Sequence, residues 1–178
     1  MAKVLVTGMS GTGKSAALVA LGRRGHRVVD TDTDHWSRWS TAADGAAPEW
    51  VWREDRIAEL LEGHGPGHLF VAGCRSNQGQ FHGRFDAVVL LSAAADVMIA
   101  RIEQRIDNPF GKRAAERERI LADLAAVEPL LRRAATVEID TSATPIEQVA
   151  LRLEQIAARD AQEPVRLPRR RYMMRVSR

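Results

Sequence analysis

The sequence predicts a three-layer α/β fold: a central parallel sheet of about five strands, helices on both faces and a short lid. Three observations predict it. Short apolar runs at residues 3–7, 27–29, 69–72, 87–91 and 137–139 alternate with longer stretches of helical period. A glycine-rich segment, Gly8-Met9-Ser10-Gly11-Thr12-Gly13-Lys14-Ser15, joins the first run to the first helical stretch. An acidic cluster, Asp30-Thr31-Asp32-Thr33-Asp34-His35, follows the second run directly, where loops of open α/β sheets line the ligand crevice.

In chain order, Lys3-Val4-Leu5-Val6-Thr7 reads as a buried parallel strand. The segment after it fits G-x-x-x-x-G-K-[ST], the phosphate-binding P-loop. Its glycines let backbone N–H groups turn inward, and the helix opening at Ser15 and Ala16 adds partial positive charge. The pattern assigns Gly8, Ser10, Gly11, Thr12, Gly13, Lys14, Ser15 and Ala16 to nucleotide binding. Lys14 reaches the β- and γ-phosphates and the Ser15 hydroxyl ligates Mg²⁺. The first helix ends near Arg24, with Gly25 as its left-handed cap, and a short second strand ends at Asp30.

Crowding three carboxylates at a strand end is costly unless a cation or a substrate neutralises them, although Asp and Thr also cap helices well. Asp30 and Asp32 lie two residues apart and so face the same way on extended backbone. Asp30, nearer the sheet, is the candidate for Mg²⁺. Asp32 is the candidate base for an acceptor hydroxyl, with Asp34 as the alternative; Asp34 and His35 otherwise cap a following helix. Trp36 and Trp39 are spaced one helical turn apart and are expected to pack inward. Residues 41–47 form a small-residue loop, Pro48 suits a first helical position, and a helix is expected over 49–62. On it, Arg53 and Arg56 either pair with neighbouring acids or capture an anionic or polyhydroxyl substrate.

The third strand ends at Gly73-Cys74-Arg75-Ser76-Asn77-Gln78, a polar loop with no closing Asp, so protein help for Mg²⁺ must come from Asp30 or Asp32. Ser92 is expected to cap the helix after the fourth strand, which places Arg101 and Arg105 on an exposed side. The break at Asp107-Asn108-Pro109-Phe110-Gly111-Lys112 reads as a lid spanning about 105–115. A charged helix follows over 114–133, bent or interrupted at Pro129. A last strand precedes Thr144-Pro145-Ile146-Glu147, a capping box with proline at the first helical position.

Hydrophobic content of 45% and charged content of 28% suit a soluble globular chain, and no apolar run approaches a membrane span. Cys74 is the only cysteine, which excludes an internal disulfide; with a strand starting at the N-terminus, a cytoplasmic location is expected. The domain reading is one P-loop domain over 1–163 and an arginine-rich tail over 164–178. Six of the 26 Lys and Arg residues lie in that tail, which holds no acid; the remaining 20 face 23 acidic residues, so the body carries −3. A nucleic-acid footprint on the body is therefore not supported. The tail reads as a solvated terminus or an anion-binding arm.

The P-loop, then Val29-Asp30-Thr31-Asp32, then an arginine-bearing helix and a lid together resemble the small P-loop kinases of the adenylate kinase-like superfamily. Shikimate kinase-like and gluconate kinase-like proteins are the most similar in pattern. The resemblance spans residues 2–158. It implies ATP and Mg²⁺ as cofactors and a small-molecule acceptor bearing a hydroxyl or phosphate group. It implies that Asp30 organises Mg²⁺, that Asp32 contacts the acceptor hydroxyl, and that Arg53 or Arg56 is the substrate arginine. It further implies Gly73 as the start of a substrate-binding glycine loop, Arg101 against adenine, Arg105 on the transferred phosphate and Thr141 in the adenine-side loop. Shikimate kinases carry a glycine triplet where this chain has Gly73-Cys74-Arg75-Ser76. Arg75, with Arg53 and Arg56, could instead clamp a nucleotide phosphate, so a nucleoside or nucleotide kinase is the alternative expectation. A nucleotide-dependent switch without a small-molecule acceptor is the third.

Overall fold

Val4, Leu5 and Val6 are fully withdrawn from water, and their side chains divide between two separate apolar clusters. That division is the two-residue period of a strand covered on both faces, and it sets up the three layers. The computed structural model describes residues 1–40, 47–106 and 111–160. Its elements run β1 (Lys3–Thr7), α1 (Lys14–Arg23), β2 (Arg27–Asp30), β3 (Ser37–Trp39), β4 (Trp50–Trp52), α2 (Glu54–Glu62), β5 (Leu69–Ala72), a 3₁₀ segment (Ser76–Arg84), β6 (Ala87–Ser92), α3 (Ala95–Gln104), α4 (Ala114–Ala134), β7 (Val137–Asp140) and α5 (Ile146–Asp160).

The main sheet has the order β2-β5-β1-β6-β7, and every pairing in it is parallel. Val4 stands opposite Phe70 on one side and Ala87 on the other. This is the expected parallel sheet of five strands with helices around it. Val4, Val6, Phe70, Val89 and Leu91 pack with Leu18, Leu21, Val149 and Leu153 of α1 and α5. Leu5, Leu69, Val71 and Val88 pack with Trp52, Ile57, Leu60, Leu61 and Phe81 on the other face. Because all five strands run the same way, the loops after Thr7, Asp30, Ala72, Ser92 and Asp140 gather on one edge. Among the described residues, no helix is long and apolar enough to cross a membrane.

The segment after Asp30 departs from the sequence expectation. Asp34 and His35 cap no helix: the chain turns and enters β3, which pairs antiparallel with β4. Trp39 is 66% exposed and meets Trp50 edge-on across this hairpin, so it does not pack inward. The small-residue loop read at 41–47 falls almost wholly outside the described residues. Pro48 precedes a strand, and the helix expected over 49–62 begins only at Glu54. The physical reason is Trp52. Its indole is fully buried and donates to Thr31 Oγ1 at 2.8 Å, while its backbone exchanges hydrogen bonds with the Asn77 side chain. Burying one aromatic side chain with its N–H satisfied outweighs a few tenths of a kcal/mol of helix propensity per residue.

Further on, Ser92 is the last residue of β6 and not a cap; Ala94 holds the N-cap position of α3, and its N–H bonds to Ser142 Oγ at 2.8 Å. Helix α4 continues through Pro129 without a break. The Thr144 hydroxyl donates to the Asp140 carbonyl, in place of the expected capping box. Residues 107–110 of the lid expected over 105–115 lie outside the described residues. On either side of them, Arg105 follows α3, and Lys112 donates to the carbonyls of Glu103 and Arg105. The arginine-rich segment 164–178 also lies outside the described residues.

Candidate functional site

The loop between β1 and α1 is shaped by backbone that only glycine adopts easily: Gly8, Gly11 and Gly13 have φ of 148°, 85° and 93°. At Gly11 a Cβ would also lie 2.7 Å from the Met98 carbonyl oxygen, so the loop sits tightly against α3. Within it, the half-buried Lys14 donates to its own loop, to the Gly8 carbonyl at 2.7 Å and the Met9 carbonyl at 3.0 Å. Burial pushes the Lys14 pKa below its ordinary value; the nearby Cys74, Asp32 and Asp30 oppose that shift, and Arg75 adds to it. A half-buried cation held by two neutral carbonyls at a cavity wall gains from an anion.

Strand β2 delivers the carboxylates. The Ser15 hydroxyl donates to Asp30 Oδ2 at 3.1 Å, and the Asp32 N–H donates to Asp30 Oδ1 at 3.0 Å. Asp32 itself pairs with Arg75 at 2.5 Å. Ser15 and Asp30 thus present adjacent oxygen donors, the ligand type that Mg²⁺ takes. Among the described residues, no cluster of three or more His, Cys, Asp or Glu side chains is gathered as a metal site.

A cavity of about 590 Å³ lies over this loop. Ser10, Gly11, Thr12, Gly13, Lys14, Ser15, Ala16, Asp30, Asp32, Arg101, Arg105 and Thr141 line it. Most of the expected nucleotide-binding set is therefore in one place; Gly8 is held instead beneath the loop, where a Cβ would run into the Leu91 carbonyl. Arg101 does not point freely into water. It donates to the Gly11 carbonyl at 3.2 Å and to the Thr141 hydroxyl and carbonyl at 3.0 and 2.6 Å. The Thr141 hydroxyl lies 2.9 Å from the Thr12 carbonyl and donates to it. Arg101 and Thr141 so clasp the phosphate loop to the end of β7.

Five substrate-site candidates do not line this cavity: Asp34, Arg53, Arg56, Gly73 and Arg75. The Arg53 Nε donates to the carbonyls of Asp34 and Ser37, and Arg56 contacts the His35 ring. Both side chains brace the turn before β3. Asp34 takes part in that turn through its carbonyl. Gly73 is held away from the cavity by packing. A Cβ there would collide with Thr31 Oγ1 and lie 3.2 Å from the Trp52 indole, so packing explains this glycine.

A second cavity of about 480 Å³ lies between the loop after β5 and helix α4. Met9, Cys74, Arg75, Gln78, His82, Asp123, Val127, Leu130 and Leu131 are among its lining residues. The sequence reading found only Arg75 of these. Ile102, Thr144 and Ile146 in the first cavity were also missed. The rule that loops at strand ends line the crevice could have found Thr144, four residues past the end of β7. Nothing in the periodicity of α4 marks which of its faces closes a cavity.

A family model described as AAA domain matches residues 4–122. Among solved structures, shikimate kinase from Acinetobacter baumannii in complex with shikimate is similar at TM-score 0.64 and 16% identity, over 90% of this chain and 94% of that one. Shikimate kinase from Bacteroides thetaiotaomicron is similar at TM-score 0.61 and 20% identity, over 87% and 97%. A gluconokinase from Sinorhizobium meliloti 1021 follows at TM-score 0.52 and 17% identity, over 90% and 92%. These likenesses establish the fold of the small P-loop kinases. No curated protein matches the sequence.

Proposed function

The chain belongs to the AAA domain family, and from that premise we propose that it is an ATP-dependent kinase that transfers the γ-phosphoryl group to a small-molecule hydroxyl. The observation that carries this reading is the meeting of Lys14, Ser15, Asp30 and Asp32 in one cavity over a phosphate-binding loop. Phosphoryl transfer needs little covalent help from protein; positioning and charge neutralisation supply most of the catalysis.

ATP would draw the Lys14 ammonium off the Gly8 and Met9 carbonyls and onto its β- and γ-phosphate oxygens. Backbone N–H groups of the loop cradle the same phosphates, and Arg101 with Thr141 keeps the loop in place. Mg²⁺, when bound, would be held by the Ser15 hydroxyl and Asp30 and would neutralise phosphate charge. Arg105, in the wall of the same cavity, adds positive charge where the transferred group passes. Asp32 orients the acceptor hydroxyl and takes its proton as the oxygen attacks phosphorus. Arg75 holds that carboxylate in place.

The test is transfer of labelled phosphate from Mg-ATP to a panel of hydroxylated metabolites, with Asp32→Asn alongside wild type. Asp32→Asn keeps the shape and removes the charge. Turnover should fall about 10²–10⁴-fold while Mg-ATP affinity stays near wild type. Full turnover in the variant would move the base elsewhere. ATP hydrolysis with no acceptor in the panel would favour a switch over a kinase.

A further inference from the structure

The second cavity is walled differently from the first. Val127, Leu130 and Leu131 of α4 face it together with Met9. Leu130 is 55% exposed, so the wall leaves apolar surface in water until something covers it. Two buried polar atoms of the same lining have no hydrogen-bond partner, Arg75 Nε and His82 Nε2. Such atoms carry a desolvation cost that a ligand with a matching group recovers.

The charge of the cavity decides what that ligand is. Among the described residues, Arg75 is the only Lys or Arg lining it, and Asp32 pairs with that charge at 2.5 Å. Burial lowers the His82 pKa, which leaves the ring uncharged near neutral pH. Asp123 adds a negative group to the lining. A carboxylate or phosphate would therefore enter an apolar cavity with no unpaired Lys or Arg among the described lining residues to receive it. The Arg75 guanidinium cannot readily turn to supply one, because it is also tied to the Cys74 carbonyl at 3.1 Å.

Resting on the kinase reading above, we propose that this cavity holds the phosphoryl acceptor, and that the acceptor is an uncharged molecule with an apolar body. It carries a hydroxyl for transfer and a second oxygen or nitrogen that accepts a hydrogen bond from Arg75 Nε. The two cavities adjoin through consecutive loop residues, Met9 on one and Ser10 on the other, and through the Asp32–Arg75 pair. In the transfer, the acceptor oxygen forms the bond to the γ-phosphorus and the bond from phosphorus to the β,γ-bridging oxygen breaks. ADP leaves with that electron pair, and the hydroxyl proton passes to Asp32.

The experiment uses two probes of one shape on the full chain, 4-(hydroxymethyl)benzamide and 4-(hydroxymethyl)benzoate, with binding measured by calorimetry in the presence of a non-hydrolysable ATP analogue. The neutral amide should bind about tenfold or more tightly than the carboxylate, the scale of one net hydrogen bond or charge mismatch. Gly79→Leu fills the cavity from a position where an added Cβ meets nothing within 4 Å, so the fold should survive. With an unchanged melting temperature it should weaken the amide about tenfold or more, and His82→Phe should weaken it severalfold. Equal or tighter binding of the carboxylate, or an amide affinity that Gly79→Leu leaves unchanged, overturns the proposal. The kinase reading fails separately. Transfer from ATP to shikimate, gluconate or another anion would sustain it while refuting the neutral acceptor. Binding of the amide with no transfer to any alcohol tested would leave a neutral-ligand site on a protein that is not a kinase.

Discussion

Lys14 and Gly73 show how one residue can be read two ways until its surroundings are known. The half-buried Lys14 spends hydrogen bonds on the carbonyls of its own loop, so the free loop holds a cation that an anion would engage. Lys14→Ala should weaken Mg-ATP binding by about 10–100-fold, the range for losing charge-assisted hydrogen bonds, and abolish transfer. Calorimetry checks the first effect and a coupled ADP assay the second; unchanged affinity with full turnover would refute the assignment. Gly73 matched a ligand-loop glycine in sequence, yet its missing Cβ makes room for Thr31 and Trp52. Gly73→Ala should therefore destabilise the fold by about 1–3 kcal/mol, as overpacking does, measured by urea denaturation. A stable variant with damaged acceptor binding would instead return Gly73 to the ligand.

At the scale of elements, α1 and α5 form one side of the core and are also tied by charge. Arg24, just past α1, makes a paired contact with Glu154 of α5 at 2.7 Å, and His26 meets the same carboxylate. The Arg24 hydrogen bond first, and His26 after it, hold the Glu154 carboxyl below its ordinary value of 4.5. A carboxylate with a depressed folded pKa contributes stability above the unfolded value and loses it as pH falls through the folded one. Glu154→Gln should thus lower the denaturation midpoint slightly at pH 7, and the difference from wild type should shrink as pH falls below the ordinary carboxylate range and the Glu154 carboxyl is protonated in the folded state. The effect is small because both partners reach water. A gap that persists at low pH would point to packing and not charge. The β3–β4 hairpin makes the opposite point about elements. It has only three residues per strand, and what holds it is the Trp52 side chain seated under the ends of β2 and β5.

For the whole molecule, the proposed nucleotide site draws Ser15, Asp30, Arg101 and Thr141 from the ends of four strands and the segments that follow them, so ligand binding there would be coupled to global stability. Mg-ATP at a hundred times its Kd should stabilise the fold by about 2.7 kcal/mol. In a chain of this length that raises the melting temperature by roughly 5–10 °C. Scanning fluorimetry should show the rise in wild type and little of it in Lys14→Ala; no rise in either would refute the nucleotide site. The sequence alone determined the parallel sheet, the phosphate loop and the two carboxylates at the end of β2. Each of these is written in neighbouring residues: a two-residue apolar period, glycines at fixed offsets before Lys14, and Asp30 and Asp32 two residues apart and so on one face of extended backbone. The tertiary structure alone decided the partners. Asp32 and Arg75 are 43 residues apart, Arg101 and Thr141 are 40, and Thr12 and Thr141 are 129. Their meeting depends on strand order and on how α3 and α4 settle over the sheet, which local periodicity does not encode. The second cavity has the same origin. Its apolar wall belongs to α4 and its unpaired donor to the loop after β5, and only the packed chain brings them to face one another.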